Sequence, residues 1–237
     1  THVMAKFPLT ALIFLVSLQV SQGRPLQGAW TDTAHFTHAD TLRGSDTPER
    51  AWWDVTYYDL HVSIHPGDST IAGYNTIAYT VRSQPTEMQI DLMTPLVIDS
   101  IIQNHVSLAF RRDGNAFFVR TVKGQAPGSH QELSVYYHGA PRVARHPPWD
   151  GGFIWAADSL GNPWIATACQ GVGASIWWPN KDYQGDEPDS LRISVTVPAG
   201  LTDVSNGRLQ QRTLHRDGSV TYEWKVDDPI NNYDVAI

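Results

Sequence analysis

Cysteine is nearly absent from this chain: there is one in 237 residues, Cys169. An intrachain disulfide and a Cys-rich zinc module are therefore excluded. No His-Glu-x-x-His occurs, so a helix-borne pair of zinc histidines is missing from these residues. No Gly-x-Ser-x-Gly occurs either, and Ser175 is not on a nucleophile elbow. Gly171-Val172-Gly173 lacks the third glycine and the following helix of a dinucleotide fingerprint. There is no Asn-x-Ser/Thr sequon. Charge is scarce too: 17% of residues are charged, against a usual roughly 25%. The balance of 17 Lys+Arg against 24 Asp+Glu leaves −7. A chain of that sign lacks the basic face that phosphates need, which excludes nucleic acid as the main partner.

Apolar and aromatic residues are plentiful. They make up 41% of the chain, with 9 Trp, 9 Tyr and 7 Phe, enough for a substantial core. One apolar run stands at the start. Met4-Ala5-Lys6 is followed by Phe7 to Val20, and Ser21-Gln22-Gly23 offers small residues for cleavage before Arg24. The run is short for a bilayer span, so residues 1–23 read as a secretory signal peptide with three residues ahead of Met4. The expectation is a secreted or periplasmic protein with no membrane span once the signal is removed. Residues 24–51 are rich in Thr, Asp, His and Gly and read as a flexible leader. The folded domain is expected over 52–237.

Period-two patterning dominates that region. In Tyr57 to His65, Leu60, Val62 and Ile64 share one face and His61, Ser63 and His65 the other. Further strands are expected at Gly73–Arg82, Glu87–Leu92, Val97–Gln103, Val106–Arg111, Ala116–Val122 and Glu132–His138. Others follow at Phe153–Ala157, Pro163–Thr167, Leu191–Val197, Gly207–Leu214 and Val220–Val226. Turn formers separate them, among them Arg216-Asp217-Gly218, where Asp-Gly is a hairpin signal. No dozen-residue window after the apolar run keeps a helical period. The fold class is all-β, a multi-stranded sandwich of mostly antiparallel sheets.

The densest chemistry lies in Ala168 to Ser190. Asp182, Asp186, Glu187 and Asp189 crowd eight positions, and such oxygen ligands suit calcium; a solvated acidic loop fits them as well. The pairs His35/His38 and His61/His65 lack the further ligands of a tetrahedral site, so no metal residue is assigned. Trp52-Trp53 and Trp177-Trp178 are expected to place one ring in the core and one at a rim, since neighbours on a strand face opposite ways. Cys169 reads as a buried thiol. Gln170 is the sharpest candidate: a neutral amide among glycines can accept a hydrogen bond from a bound cation.

Five segments, in order, carry a resemblance. Tyr58-Asp59-Leu60-His61-Val62 resembles an opening strand of the aminopeptidase N family of zinc metallopeptidases, and Leu133 to Gly139 its "IxYxG" strand. Thr167-Ala168-Cys169-Gln170, then Ala174-Ser175-Ile176-Trp177-Trp178-Pro179 and Asp182, resemble "TQCE…ARxWFPCxD". Ser205-Asn206-Gly207 resembles "SNG". Trp224 and Pro229-Ile230-Asn231-Asn232-Tyr233 resemble "W…PMSxY". Ala168 stands where the family has Gln, Ser175 where it has Arg, and Asn180 where it has Cys.

The resemblance implies a saddle-like N-terminal β domain that packs on a downstream catalytic domain of the same polypeptide. It implies that Gln170, with Ala168 beside it, helps bind the free α-amine of a peptide substrate, although Ala168 brings no amide of its own. Zinc is implied for the catalytic domain and no cofactor for this chain, which alone is expected to hydrolyse nothing. The rival reading is a free-standing β-sandwich module for carbohydrate or adhesion, using Trp52, Trp155, Trp164 or Trp177, or calcium at Asp182 to Asp189.

Overall fold

A computed structural model describes residues 35–237. The signal peptide assignment and the first part of the expected leader lie outside these residues. Thr37 caps the first helix, α1 (His38–Gly44): its hydroxyl accepts from the Asp40 backbone N–H while the Asp40 carboxylate accepts from Thr37 N–H. A second short helix, α2 (Pro48–Ala51), starts on Pro48, whose ring suits a first helical turn. The chain then enters β1 (Trp53–His65), β2 (Thr70–Val81), β3 (Met88–Asp91), β4 (Val97–Gln103), β5 (Val106–Ser107), β6 (Phe110–Asp113) and β7 (Ala116–Val119). It continues through β8 (His130–Gly139), β9 (Gly152–Ala157), β10 (Pro163–Ala168), β11 (Ser190–Val197), β12 (Arg208–Leu214) and β13 (Val220–Val226).

Eight strands form one sheet in the order β12-β13-β11-β1-β2-β8-β4-β5; β3-β7-β6 form a second and β9-β10 a third. The β1–β11 pair is parallel, and every other pairing is antiparallel. The expected all-β class and the expected alternation are both present. Inward residues of β1 are Trp53 and Val55, then Tyr58, Leu60, Val62 and Ile64. The change from odd to even numbers falls at a bulge between Val55 and Tyr57. One extra residue there keeps both halves of a long strand facing the same core. On the opposite face, burial alone would raise the Asp59 carboxyl, but hydrogen bonds from His61 and Arg192 prevail and hold it at about 2.

Three expectations need correction. The single strand at Val106–Arg111 is two strands in two sheets, because the chain crosses from the large sheet to the three-stranded one after Ser107. Part of the expected leader is packed structure: Arg50 is fully buried, and its guanidinium meets the Asp91 carboxylate at 2.5 Å and the carbonyls of Arg43 and Ser45. Both members of each Trp pair are buried, since Trp52 caps α2 and Trp177 follows a turn of 3-10 helix over Ala174–Ile176 rather than lying on a strand. A single apolar cluster gathers the inner face of the large sheet, the three-stranded sheet, Phe153 and the two tryptophans 177 and 178.

Candidate functional site

The β9-β10 hairpin positions the site. Its tight end is fixed by Asp158, whose carboxylate accepts from the N–H groups of Leu160 and Asn162. Ala168 is the last residue of β10, half-buried and opposite Gly152. Cys169 follows, buried, and burial pushes its thiol up to about 12, which suits an inert thiol. The chain then folds back on itself: the Cys169 carbonyl accepts from Val172 N–H at 3.1 Å and Gly173 N–H at 2.9 Å. Gln170 occupies the tip of that turn. Its side chain is exposed and takes part in no hydrogen bond among the described residues.

The turn is held from both sides. From the helical segment, Arg43 Nη2 donates to the Gly171 carbonyl at 2.7 Å. From the following chain, the Asp182 carboxylate accepts from Ser175 N–H at 3.1 Å and Ser175 Oγ at 2.6 Å. Asp182 N–H in turn donates to Asp91, the partner of Arg50. A continuous polar chain thus runs from α2 through Asp91 and Asp182 to the base of the turn. Desolvation pushes the Asp91 carboxyl upward against the pull of Arg50. A groove of about 710 Å³ beside the turn is lined by Asp40, Arg43, Gly171, Asp182, Tyr183 and Tyr233, among others; Gln170 stands outside it.

Gly173 sets the close approach. Its φ of 89° and ψ of 165° belong to a region essentially reserved for glycine. A Cβ there would lie 2.2 Å from Asp182 Oδ2. Gly173→Ala is expected to lose roughly 1–3 kcal/mol from backbone strain alone and to displace Asp182 from Ser175. Urea unfolding measures the loss, and the Ser175 amide shift in an NMR spectrum reports the displacement. An unchanged Ser175 amide would show that Asp182 does not hold the turn.

The four acidic residues do not converge. Asp182 serves Ser175, Asp186 pairs with the buried Lys181, Glu187 accepts from Asn231 Nδ2, and Asp189 is exposed. No group of three His, Cys, Asp or Glu side chains able to hold a metal occurs among the described residues. His61 bonds Asp59 and stacks on Tyr74 at 4.4 Å, while His38 bonds Asp113. Of the candidate sugar-stacking rings, Trp52 and Trp177 are in the core, Trp155 is partly covered and Trp164 is exposed.

Next to β10 lies an apolar groove of about 360 Å³, walled by Ile64, Trp164, Val195, Val197, Leu201 and Val204. Trp164 is 64% and Val204 71% exposed at its rim, and Leu160 and Trp149 are 85% and 86% exposed.

No protein-family model matches the sequence, and no curated protein matches it. Solved structures do. An M1 zinc metallopeptidase from Deinococcus radiodurans superposes with a TM-score of 0.66 at 21% identity, over 78% of this chain and 41% of that one. A form of that protein bound to a Tyr-Ser-Ala substrate gives 0.67 at 21% identity, over 79% and 42%. Native yeast LTA4 hydrolase gives 0.64 at 14% identity, over 85% and 32%. This is the fold of an M1 zinc metallopeptidase segment. The chain spans about two fifths of the length of the M1 metallopeptidases from Deinococcus radiodurans and about a third of that of LTA4 hydrolase. The M1 zinc has no ligand set among the described residues, so no chemical step is assigned to a metal here.

The sequence singles out Gln170 but not the elements beneath its turn, α1 and α2 with Arg43 and Arg50. Two signals pointed to them: Thr37 three residues before Asp40, and Thr47 directly before Pro48.

Proposed function

We propose that this chain supplies the N-terminal β domain of a secreted or periplasmic zinc aminopeptidase. It packs on a downstream catalytic domain of the same polypeptide, walls the substrate cleft and presents Gln170 to the α-ammonium of the bound peptide. The catalytic zinc and its ligands belong to that other domain. Residues 1–23 direct export.

The observation that carries the reading is the state of Gln170 within an M1-type fold. An uncommitted amide stands in solvent at the tip of a turn fixed by Arg43 on one side and Asp182 on the other. The turn fixes where the residue stands, and its unbonded amide oxygen is free to accept from an ammonium group. Ala168 contributes backbone and a methyl wall. The exposed apolar side chains of Trp149, Leu160 and Trp164 suit a face that another domain covers.

The test is kinetic. A longer chain that includes the downstream sequence should hydrolyse an aminoacyl reporter with zinc, and the 237-residue chain alone should not. In the longer chain, Gln170→Ala should lower kcat/KM roughly tenfold or more, the scale of a hydrogen bond to a charged group. Turnover by the short chain would overturn the non-catalytic assignment, and unchanged kinetics in the variant would remove the role of Gln170.

A further inference from the structure

One charged side chain lines the apolar groove beside β10, and it has no counterion. Asp203 lines the groove and is 7% exposed. Its Oδ2 accepts from Trp224 Nε1 at 2.8 Å, and Oδ1 accepts nothing among the described residues. No Lys, Arg or His lines the groove. An isolated buried carboxylate is costly, and burial pushes Asp203 up to about 6. Every structural ion pair in the large sheet joins a carboxylate to a partner already present, as Asp59 is joined to Arg192. Asp203 has none.

The second observation concerns the strand that forms the groove wall. The hairpin has two edges, and they differ. The outer edge of β9 is covered at Phe153: Phe153 N–H donates to the Arg142 carbonyl at 2.7 Å and Ala144 N–H to the Phe153 carbonyl at 2.9 Å. The other edge belongs to β10, which among the described residues pairs with β9 alone. An uncovered edge offers a row of backbone donors and acceptors to an added strand. Here Pro163 to Ala166 line the same groove as the apolar wall and Asp203, with Pro163 offering a carbonyl but no donor.

Taken together, we infer that the groove receives an extended polypeptide segment that adds to the β10 edge and places a lysine or arginine side chain on Asp203 between two apolar side chains. Main-chain bonds to β10 fix the register. Alternate residues of a strand face the same way, so an apolar–x–cationic–x–apolar pattern puts all three side chains into the groove. The apolar pair meets Val195, Val197 and Val204 while the cation neutralises the carboxylate. This deepens and rests on the proposed function: the segment is the catalytic domain's, and the contact ties the hairpin bearing Gln170 to it.

The test uses the 237-residue chain and two synthetic peptides. One is acetyl-Thr-Val-Thr-Lys-Thr-Val-Thr-amide; the other has norleucine in place of lysine. Both are titrated at pH 7.5 against the isotope-labelled protein and followed by amide shifts. The lysine peptide should move the amides of Trp164 to Ala166 and of Thr202 to Val204, and bind roughly tenfold or more tighter than the norleucine peptide. Asp203→Asn, which keeps an oxygen for the Trp224 N–H, should erase that difference. Equal affinity of the two peptides for the unaltered chain, shifts located elsewhere, or no binding would each overturn the inference. If the variant fails to fold, the two-peptide comparison on the unaltered chain decides. Zinc-dependent hydrolysis by the longer chain is the separate readout. Hydrolysis without peptide selectivity defeats only this inference, and selectivity without hydrolysis defeats only the aminopeptidase reading.

Discussion

Arg50→Ala should destabilise the domain by about 3–5 kcal/mol, because removing one member of a buried ion pair strands the other charge away from water. In a domain of this size that is a fall in Tm of roughly 6–20 °C. The side chain is fully buried, and its two Nη atoms reach Asp91, Arg43 and Ser45. In the alanine variant Asp91 keeps the donors Gln89 Nε2 and Asp182 N–H but has no cation. Arg50→Lys should recover part of the loss, since an ammonium restores the charge but not the fork that serves the carboxylate and two carbonyls at once. Thermal unfolding of the three proteins decides. A shift within the roughly 0.5 kcal/mol typical of surface positions would return residues 38–51 to the status of a leader.

Trp178→Ala should cost about 3–5 kcal/mol, the usual range for truncating a fully buried large aromatic. The ring lies edge-on to Tyr58 with centroids 5.0 Å apart, and also meets Trp177 at 6.0 Å. Trp178→Phe should cost clearly less. The indole Nε1 is buried with no hydrogen-bond partner, so phenylalanine gives up packing volume while removing an unsatisfied donor. Denaturant unfolding of both variants tests the argument. Equal losses would mean that the N–H is satisfied after all. A negligible loss in the alanine variant would mean that the ring is not part of the core.

The strands were legible because the large sheet has one dry face, and a dry face forces alternation. Leu60, Val62 and Ile64 announced theirs, and so did Leu191, Ile193, Val195 and Val197. The helices left only capping signals because each is too short to repeat a helical period, and Arg50 carries no mark in the sequence that it is a buried residue. The crossing after Ser107 was hidden for a similar reason: apolar residues run on through it while their sheet changes. The tryptophan pairs misled because strand alternation was applied where Trp52, Trp177 and Trp178 lie off the strands. Gln170 came partly from its glycine neighbours and chiefly from resemblance. Its exposed, unbonded amide cannot be read from periodicity, since the turn depends on contacts from Arg43 and Asp182 far along the chain.

The placement of β1 bears on how the chain is made. Its two neighbours are β2, which follows at once, and β11, which ends at Val197. A ribosome releases residues in order, so β1 and β2 emerge early while the parallel companion of β1 is still unwritten. Long-range pairings of this kind close late. Until Val197 has emerged, the edge of β1 that β11 covers stays unpaired, and the large sheet cannot close around its central strand.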